Sequence, residues 1–211
     1  MNYKDLVKQF ESLHDIEKKS LILYKSELGE LINNLDNNPD FNYYYEKYLD
    51  LLAKHVDSIV EPIFKVIDFT SLYTFIDSIH KMSDTIEKAL KKMRNKEDIT
   101  LYRITNENDY NEEKIIKTSQ SLAEIIKNNN NNKNVLYEYY VPKNSSLGCI
   151  PYEIVYDDNS DRLIINTTDK EEEVLIPSDL YQFYMVNELP GNHRISKVIE
   201  FELEKKQVLK K

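Results

Sequence analysis

Hydrophobic positions recur at helical spacing in the first part of the chain. A stripe from Leu6 to Leu35 advances mostly in three- and four-residue steps, with one polar gap after Leu13, and predicts an amphipathic helix. The turn-forming segment NNLDNNPD, 33–40, is expected to end this helix. The same spacing predicts two further helices, at about 43–60 and 71–93.

Short segments rich in Tyr, Ile and Val replace the helical pattern from about Ile99. They predict strands within ITLYRI (99–104), VLYEYYVP (135–142), IPYEIVY (150–156), DRLIINTT (161–168), EEVLIP (172–177), YQFYMVNEL (181–189) and SKVIEFELEK (196–205). One helix, SLAEIIKNN at 121–129, is expected among them, with Ser121 as its N-cap. Helices followed by strands predict an α+β fold with a mostly antiparallel sheet. We expect a helical part at 1–96 and a β-rich core at 97–211, joined in one continuous domain.

Composition excludes several classes of function. A net charge of −9 argues against a general affinity for nucleic acid or anionic membranes, which draws on dense Lys and Arg. Three glycines in 211 residues exclude a Gly-rich phosphate loop. The single Cys149 can form neither an internal disulfide nor a metal site with neighbouring cysteines. No apolar run approaches the ~18 residues of a membrane span, and the N-terminus is charged from Lys4 onward, so a soluble, cytoplasmic protein is expected.

Arg103 interrupts the otherwise apolar and aromatic segment ITLYRI. Burial of a guanidinium is costly unless the charge is paired, so an Arg in such a strand needs an anionic partner. The sequence leaves two partners open. One is a carboxylate of the protein, and the other is a ligand phosphate held through two parallel hydrogen bonds.

Two polar motifs follow Arg103 along the chain. Ser119 and Ser121 precede the predicted helix in KTSQSLAEII, where they form either a simple N-cap or part of a site. Glu171, Glu172 and Glu173 directly precede the apolar triplet Val-Leu-Ile. Side chains alternate along a strand, so Glu171 and Glu173 are predicted to share one face and Glu172 the other. The run is therefore either a solvated strand entrance or a site with two carboxylates.

Taken in order, these motifs resemble the Arg-Ser-Glu class of mono-ADP-ribosyltransferases. This family includes bacterial binary toxins, phage-encoded transferases and vertebrate ectoenzymes. The similarity covers most of residues 86–205. It extends over the helix, connector and Arg strand in IEKALKKMRNKEDITLYR, the Ser strand and helix in KTSQSLAEII, the next strand and turn in VLYEYYVPKNSSLG, and the Glu-x-Glu strand with its hairpin partner in EEEVLIPSDLYQFYMVNEL.

The resemblance implies a fold, an activity and a set of site residues. The fold would be an N-terminal helical segment followed by a mostly antiparallel, split β-sandwich core, and the reaction would be transfer of ADP-ribose from NAD to a macromolecular acceptor, without a metal. Glu173 matches the catalytic carboxylate of the family, and Glu171 matches the residue that engages an acceptor arginine. Arg103, Ser119 and Ser121 match positions that bind NAD, with Ser119 also orienting Glu173.

The resemblance also bears on the acceptor and the origin. A glutamate at position 171, in place of the Gln of the Rho-modifying exoenzymes, implies an arginine-directed enzyme. Its acceptor would be a host protein. Few Gly and many Asn and Lys residues are compatible with a virus, a phage or an intracellular bacterium, and hence with a toxin-like effector that acts in the host cytosol.

A second interpretation stays open. Ile104 follows Arg103 where the family usually has Gly, and Gln120 replaces the middle Thr of the family's Ser-Thr-Ser element. These departures favour a degenerate, inactive transferase fold that serves as a protein-binding module. A third interpretation is an unrelated helical interaction protein that matches the family by accident.

Overall fold

A computed structural model describes residues 3–55, 60–106, 113–127, 129, 134–160, 162–168, 173–191 and 195–206. The chain divides into two compact units. The first comprises residues 1–8, 90–149 and 170–211, and the second comprises residues 9–89 and 150–169. Each unit is formed by separate stretches of the sequence. The predicted division between residues 96 and 97 stays a prediction.

Helices fill most of the first ninety described residues. They are α1 (Tyr3–Glu11), α2 (Asp15–Tyr24), α3 (Leu28–Asn33), a short 3-10 turn (Leu35–Asn37), α4 (Phe41–Lys54), α5 (Glu61–Phe64), α6 (Leu72–Lys92) and, further along the chain, α7 (Leu122–Lys127). No helix in the described ranges is both long and apolar enough to cross a membrane.

The single helix predicted from Leu6 to Leu35 is wrong, because the chain turns twice within that stretch. At the first turn the Ser12 hydroxyl donates to the Gln9 carbonyl (2.7 Å), and the backbone N–H of His14 donates to the Glu17 carboxylate (3.0 Å). These bonds replace helical ones and end α1 before α2 begins. The residues of the apolar stripe are all buried. Their spacing therefore predicted burial correctly, but it did not show that the helix is interrupted.

Eight strands are present in the described residues. They are β1 (Ile99–Thr105), β2 (Ile115–Ser119), β3 (Val135–Val141), β4 (Tyr152–Asp157), β5 (Arg162–Thr167), β6 (Glu173–Pro177), β7 (Tyr181–Pro190) and β8 (Lys197–Lys205). Seven correspond to segments predicted from their composition. The other, β2, is short and ends in polar residues, and it corresponds to the strand implied by the family resemblance.

A six-stranded sheet lies in the first unit, in the order β6-β2-β1-β3-β8-β7. Strands β3 and β8 run parallel, and the other neighbours in this sheet are antiparallel. The α+β fold and the mostly antiparallel sheet are therefore confirmed. Helix α7 covers one face of this sheet, where Leu122, Ile125 and Ile126 pack against a buried cluster built on Ile104 and Leu136.

The second unit packs the β4–β5 hairpin against the N-terminal helices. The Tyr152 ring lies 5.8 Å from the Phe10 ring, and its hydroxyl donates to the Glu11 carboxylate at 2.6 Å. Lys25 donates to the Thr168 hydroxyl at 3.2 Å. The predicted site residues that the structure describes belong to the first unit.

Candidate functional site

Strand pairing brings Ser119 and Glu173 together at the end of β2. Ser119 lies opposite Glu173 across β2 and β6, and opposite Tyr102 across β2 and β1. Directly opposed residues in a sheet share a face, with Cβ atoms about 4.5–5.5 Å apart. Glu173, Ser119 and Tyr102 therefore form one row across three strands, and we call this side of the sheet the Glu173 face.

The Glu173 carboxylate has a buried oxygen without a hydrogen-bond partner among the described residues. The side chain as a whole is half-buried, but this oxygen, Oε1, is fully buried. An unpaired polar atom in such a place costs about 1–3 kcal/mol. Next to it, the buried Thr118 hydroxyl donates to the Val174 carbonyl at 2.6 Å and helps to fix the register of β2 against β6. The fold thus holds Glu173 in a defined position while leaving one oxygen without a donor.

The two serines of the Ser-x-Ser element have different partners. The backbone N–H of Glu124 donates to the Ser121 hydroxyl at 3.3 Å, which confirms Ser121 as the N-cap of α7. The Ser119 hydroxyl accepts from the backbone N–H of Ser121 at 3.0 Å. Between them, the Nε2 atom of Gln120 is buried and has no hydrogen-bond partner in the described ranges. Ser121 is thus engaged with the backbone of α7, while Ser119 faces Glu173.

Arg103 lies on the opposite side of the sheet. It follows Tyr102 on β1, so its side chain points away from Ser119, towards Tyr137, its partner on β3. We call the side that carries Arg103, Tyr137 and Tyr139 the Arg103 face. The register therefore brings Ser119 and Glu173 together on one face and sets Arg103 on the other.

The partner of Arg103 is Glu113. Nη2 donates to Oε1 at 2.6 Å and Nη1 donates to Oε2 at 3.2 Å, in a bidentate arrangement. The Arg103 side chain is 14% exposed and that of Glu113 34% exposed. Of the two partners that the sequence left open, this structure contains the protein carboxylate. Charge-assisted forks of this kind are among the stronger side-chain pairings in proteins.

Sequence reasoning did not identify Glu113, which is ten residues from Arg103. Its backbone is fixed by Ser178, whose hydroxyl donates to the Glu113 carbonyl at 2.6 Å and whose N–H donates to the Lys114 carbonyl at 2.9 Å. A charged residue just before β2 could have been proposed as a neighbour of β1 only after the antiparallel pairing of the two strands was known.

Glu171 and Glu172 lie outside the described residues, so the roles predicted for them stay predictions. Among the residues that the structure describes, no group of three or more His, Cys, Asp or Glu side chains is arranged to hold a metal ion.

Comparison with known proteins finds solved structures with a similar fold. No protein-family model and no curated protein sequence matches the chain. Among solved structures, the C3 exoenzyme of Clostridium limosum matches with a TM-score of 0.58 at 16% identity, over 96% of this chain and 90% of the exoenzyme. Plx2a, an ADP-ribosyltransferase toxin from Paenibacillus larvae, matches with a TM-score of 0.57 at 16% identity, over 97% and 92% of the two chains.

A third match carries a ligand in its own structure. C3stau2 from S. aureus, solved with NAD, matches with a TM-score of 0.56 at 11% identity, over 96% of this chain and 92% of that one. Identities this low establish the fold alone, but the coverage is nearly complete in both directions. The chain therefore has the fold of the ADP-ribosyltransferase toxins.

Proposed function

We propose that the protein is an NAD-dependent mono-ADP-ribosyltransferase. The observation that carries this proposal is the Glu173 carboxylate, held opposite Ser119 with one buried oxygen that lacks a donor. Stability of the fold alone would favour a residue whose buried polar atoms all have hydrogen-bond partners. An unsatisfied carboxylate at the position matching the family's catalytic glutamate supports a group that is kept for substrate binding or catalysis.

The reaction explains why a carboxylate is needed. The bond between the ribose C1′ atom and the nicotinamide nitrogen breaks, and nicotinamide leaves as a neutral molecule with the bonding electron pair. Positive charge then develops on the ribose, as in glycoside hydrolysis. Glu173 would stabilise that charge, and Ser119 would orient the carboxylate. The acceptor nitrogen forms the new bond to C1′ and loses a proton.

NAD is the proposed substrate, and no metal takes part in the proposed reaction. The structures of C3stau2 with NAD and of the binary enterotoxin component BECa of C. perfringens with NADH support this choice. BECa matches with a TM-score of 0.56 over 95% of this chain.

The acceptor is proposed to be an arginine of a host protein. The support is the glutamate at position 171, two residues before Glu173. An arginine side chain is a very weak nucleophile while protonated, so a neighbouring carboxylate that orients it and accepts its proton is required. Water needs no such help to intercept the ribose cation slowly, and NAD hydrolysis without an acceptor is expected.

The experiment that tests the acceptor compares the adjacent glutamates. The full chain is incubated with labelled NAD, with and without a small guanidino compound, and both nicotinamide release and guanidine labelling are measured. Glu171→Gln is expected to keep most of the NAD hydrolysis but to lose guanidine labelling by about 10²-fold, as for the loss of a proton acceptor. Glu172→Gln, whose side chain the alternation along a strand predicts to point the other way, is the matched control and should change neither. Full labelling by Glu171→Gln would overturn the arginine assignment.

The Arg103–Glu113 ion pair favours the alternative function, a degenerate transferase fold that acts as a protein-binding module. In that case the pair is purely structural and replaces a lost ligand contact. A chain that releases no nicotinamide from NAD and labels no protein in a cell lysate would support this alternative.

A further inference from the structure

An anion that approaches Arg103 meets a guanidinium that is already paired with Glu113. The two terminal nitrogens of Arg103 donate to two carboxylate oxygens, the same geometry that a guanidinium adopts with a phosphate. A phosphate therefore cannot take the fork between the two terminal nitrogens of Arg103 while Glu113 holds it. Binding in that bidentate geometry must include displacement of Glu113.

The two partners differ in how easily they can move. Arg103 is the more buried partner and lies on β1 between two fully buried positions, Leu101 and Thr105. Glu113 is more exposed, and apart from the ion pair it is held only through its backbone, by Ser178. Rotation of the Glu113 side chain into solvent therefore leaves strand pairing intact, whereas movement of Arg103 would disturb the packed sheet.

A third group beside the pair lacks a partner. The Tyr139 side chain is fully buried, and its hydroxyl has no hydrogen-bond partner among the described residues. Tyr139 lies on the same face of the sheet as Arg103, two residues along β3 from the residue opposite Arg103. Burial raises the pKa of its hydroxyl, Arg103 opposes the shift and Glu113 adds to it. The Glu113 carboxylate uses both of its oxygens on Arg103 and leaves the Tyr139 donor unsatisfied. A phosphate group has a further oxygen that could accept from it.

We propose that Glu113 is an internal competitor for a phosphate-bearing ligand at Arg103, and that Tyr139 is an additional donor to that ligand. The ligand is identified by its phosphate chemistry alone, because Arg103 and Glu173 lie on opposite faces of the sheet and one dinucleotide does not span both. Without a ligand, Glu113 satisfies Arg103 and stabilises the sheet. When the ligand binds, the Glu113 side chain rotates away, and the phosphate takes both the Arg103 fork and the Tyr139 hydroxyl. The ion pair thus lowers the affinity for the phosphate-bearing ligand but stabilises the protein without it.

Binding of inorganic pyrophosphate, measured by titration calorimetry on the full chain, tests the competition directly. Glu113→Gln keeps the shape but not the charge and is expected to bind pyrophosphate about tenfold more tightly than wild type, as for a competitor that occupies the fork nine-tenths of the time. Glu204→Gln is the control for net charge, because the Glu204 side chain is exposed and forms no hydrogen bond or ion pair to a described residue. It should change the affinity by less than about twofold, the size of a surface-charge effect.

Two further variants guard against a folding defect and test the donor. Glu113→Asp retains the charge but retracts the carboxylate, so a smaller gain in affinity is expected if Glu113→Gln folds poorly. Tyr139→Phe removes only the hydroxyl and should weaken pyrophosphate binding about fivefold, the worth of one hydrogen bond, while the empty protein melts at the same temperature or higher.

The proposal is overturned if folded Glu113→Gln or Glu113→Asp binds pyrophosphate no more tightly than wild type and Glu204→Gln, or if no variant binds it. This outcome is separable from failure of the proposed function. Nicotinamide release by wild type without any gain in Glu113→Gln refutes the competitor alone. A gain in pyrophosphate affinity without nicotinamide release refutes the transferase and leaves an anion site regulated by Glu113.

Discussion

The two faces of the six-stranded sheet differ in whether their charged residue has a partner. On the Arg103 face, the guanidinium is matched by a bidentate carboxylate. On the Glu173 face, a carboxylate oxygen is buried without a donor. The same strands build both faces, so the difference lies in the side chains and not in the backbone. It indicates that Arg103 contributes to stability in the empty protein, whereas Glu173 is held at a cost in stability.

The contrast predicts that removal of Arg103 has the largest effect on folding. Arg103→Leu leaves Glu113 half-buried without its partner and should lower the free energy of unfolding by about 1–3 kcal/mol, less than for a fully buried pair. Arg103→Leu combined with Glu113→Leu should recover most of that loss, since neither charge then remains. Urea denaturation of the three proteins without NAD measures this. Equal stability of Arg103→Leu and wild type would show that the ion pair has no structural role.

A smaller loss is expected at the strand pairing that positions Glu173. Thr118→Val removes a buried hydroxyl and leaves the Val174 carbonyl without that donor, so the free energy of unfolding should fall by about 1 kcal/mol. Thr100→Val on β1 is the matched control, because its hydroxyl makes no hydrogen bond to a described residue. If both variants lose the same stability in urea, the Thr118 bond does not hold β2 against β6.

The smallest effect on folding is expected at Glu173. Glu173→Gln removes a charge that has no partner at Oε1, so the free energy of unfolding should stay within about 0.5 kcal/mol of wild type or rise. Thermal melting of the empty protein decides this. A marked fall in the melting temperature would mean that the Glu173 carboxylate has a stabilising partner, and the contrast between the two faces would be lost.

The periodicity of apolar residues predicted most of this fold. Burial follows the spacing of apolar residues closely along α6 and along β8, because a residue on the inner side of a helix or strand has to be apolar. The turns within the first stripe were missed, since Ser12 and His14 end a helix through local hydrogen bonds that leave the spacing of apolar residues unchanged.

The candidate site was less accessible to sequence reasoning. The order of the short motifs Ser-x-Ser and Glu-x-Glu along the chain was enough to propose Ser119 and Glu173 as site residues. The partnership of Arg103 with Glu113, and the separation of Arg103 from Glu173 on two faces, depend on the register of β1 and β2. Register is a property of paired strands, and a shift of one residue would exchange the faces.

The catalytic role of Glu173 is tested most directly by the rate of nicotinamide release from NAD, measured for the full chain and for Glu173→Gln without an acceptor and at matched melting temperature. We expect slow release by wild type and a fall of about 10²-fold or more in Glu173→Gln, as for the loss of one electrostatic stabiliser of the transition state. Equal rates from the two proteins would contradict the assignment of Glu173 as the catalytic carboxylate.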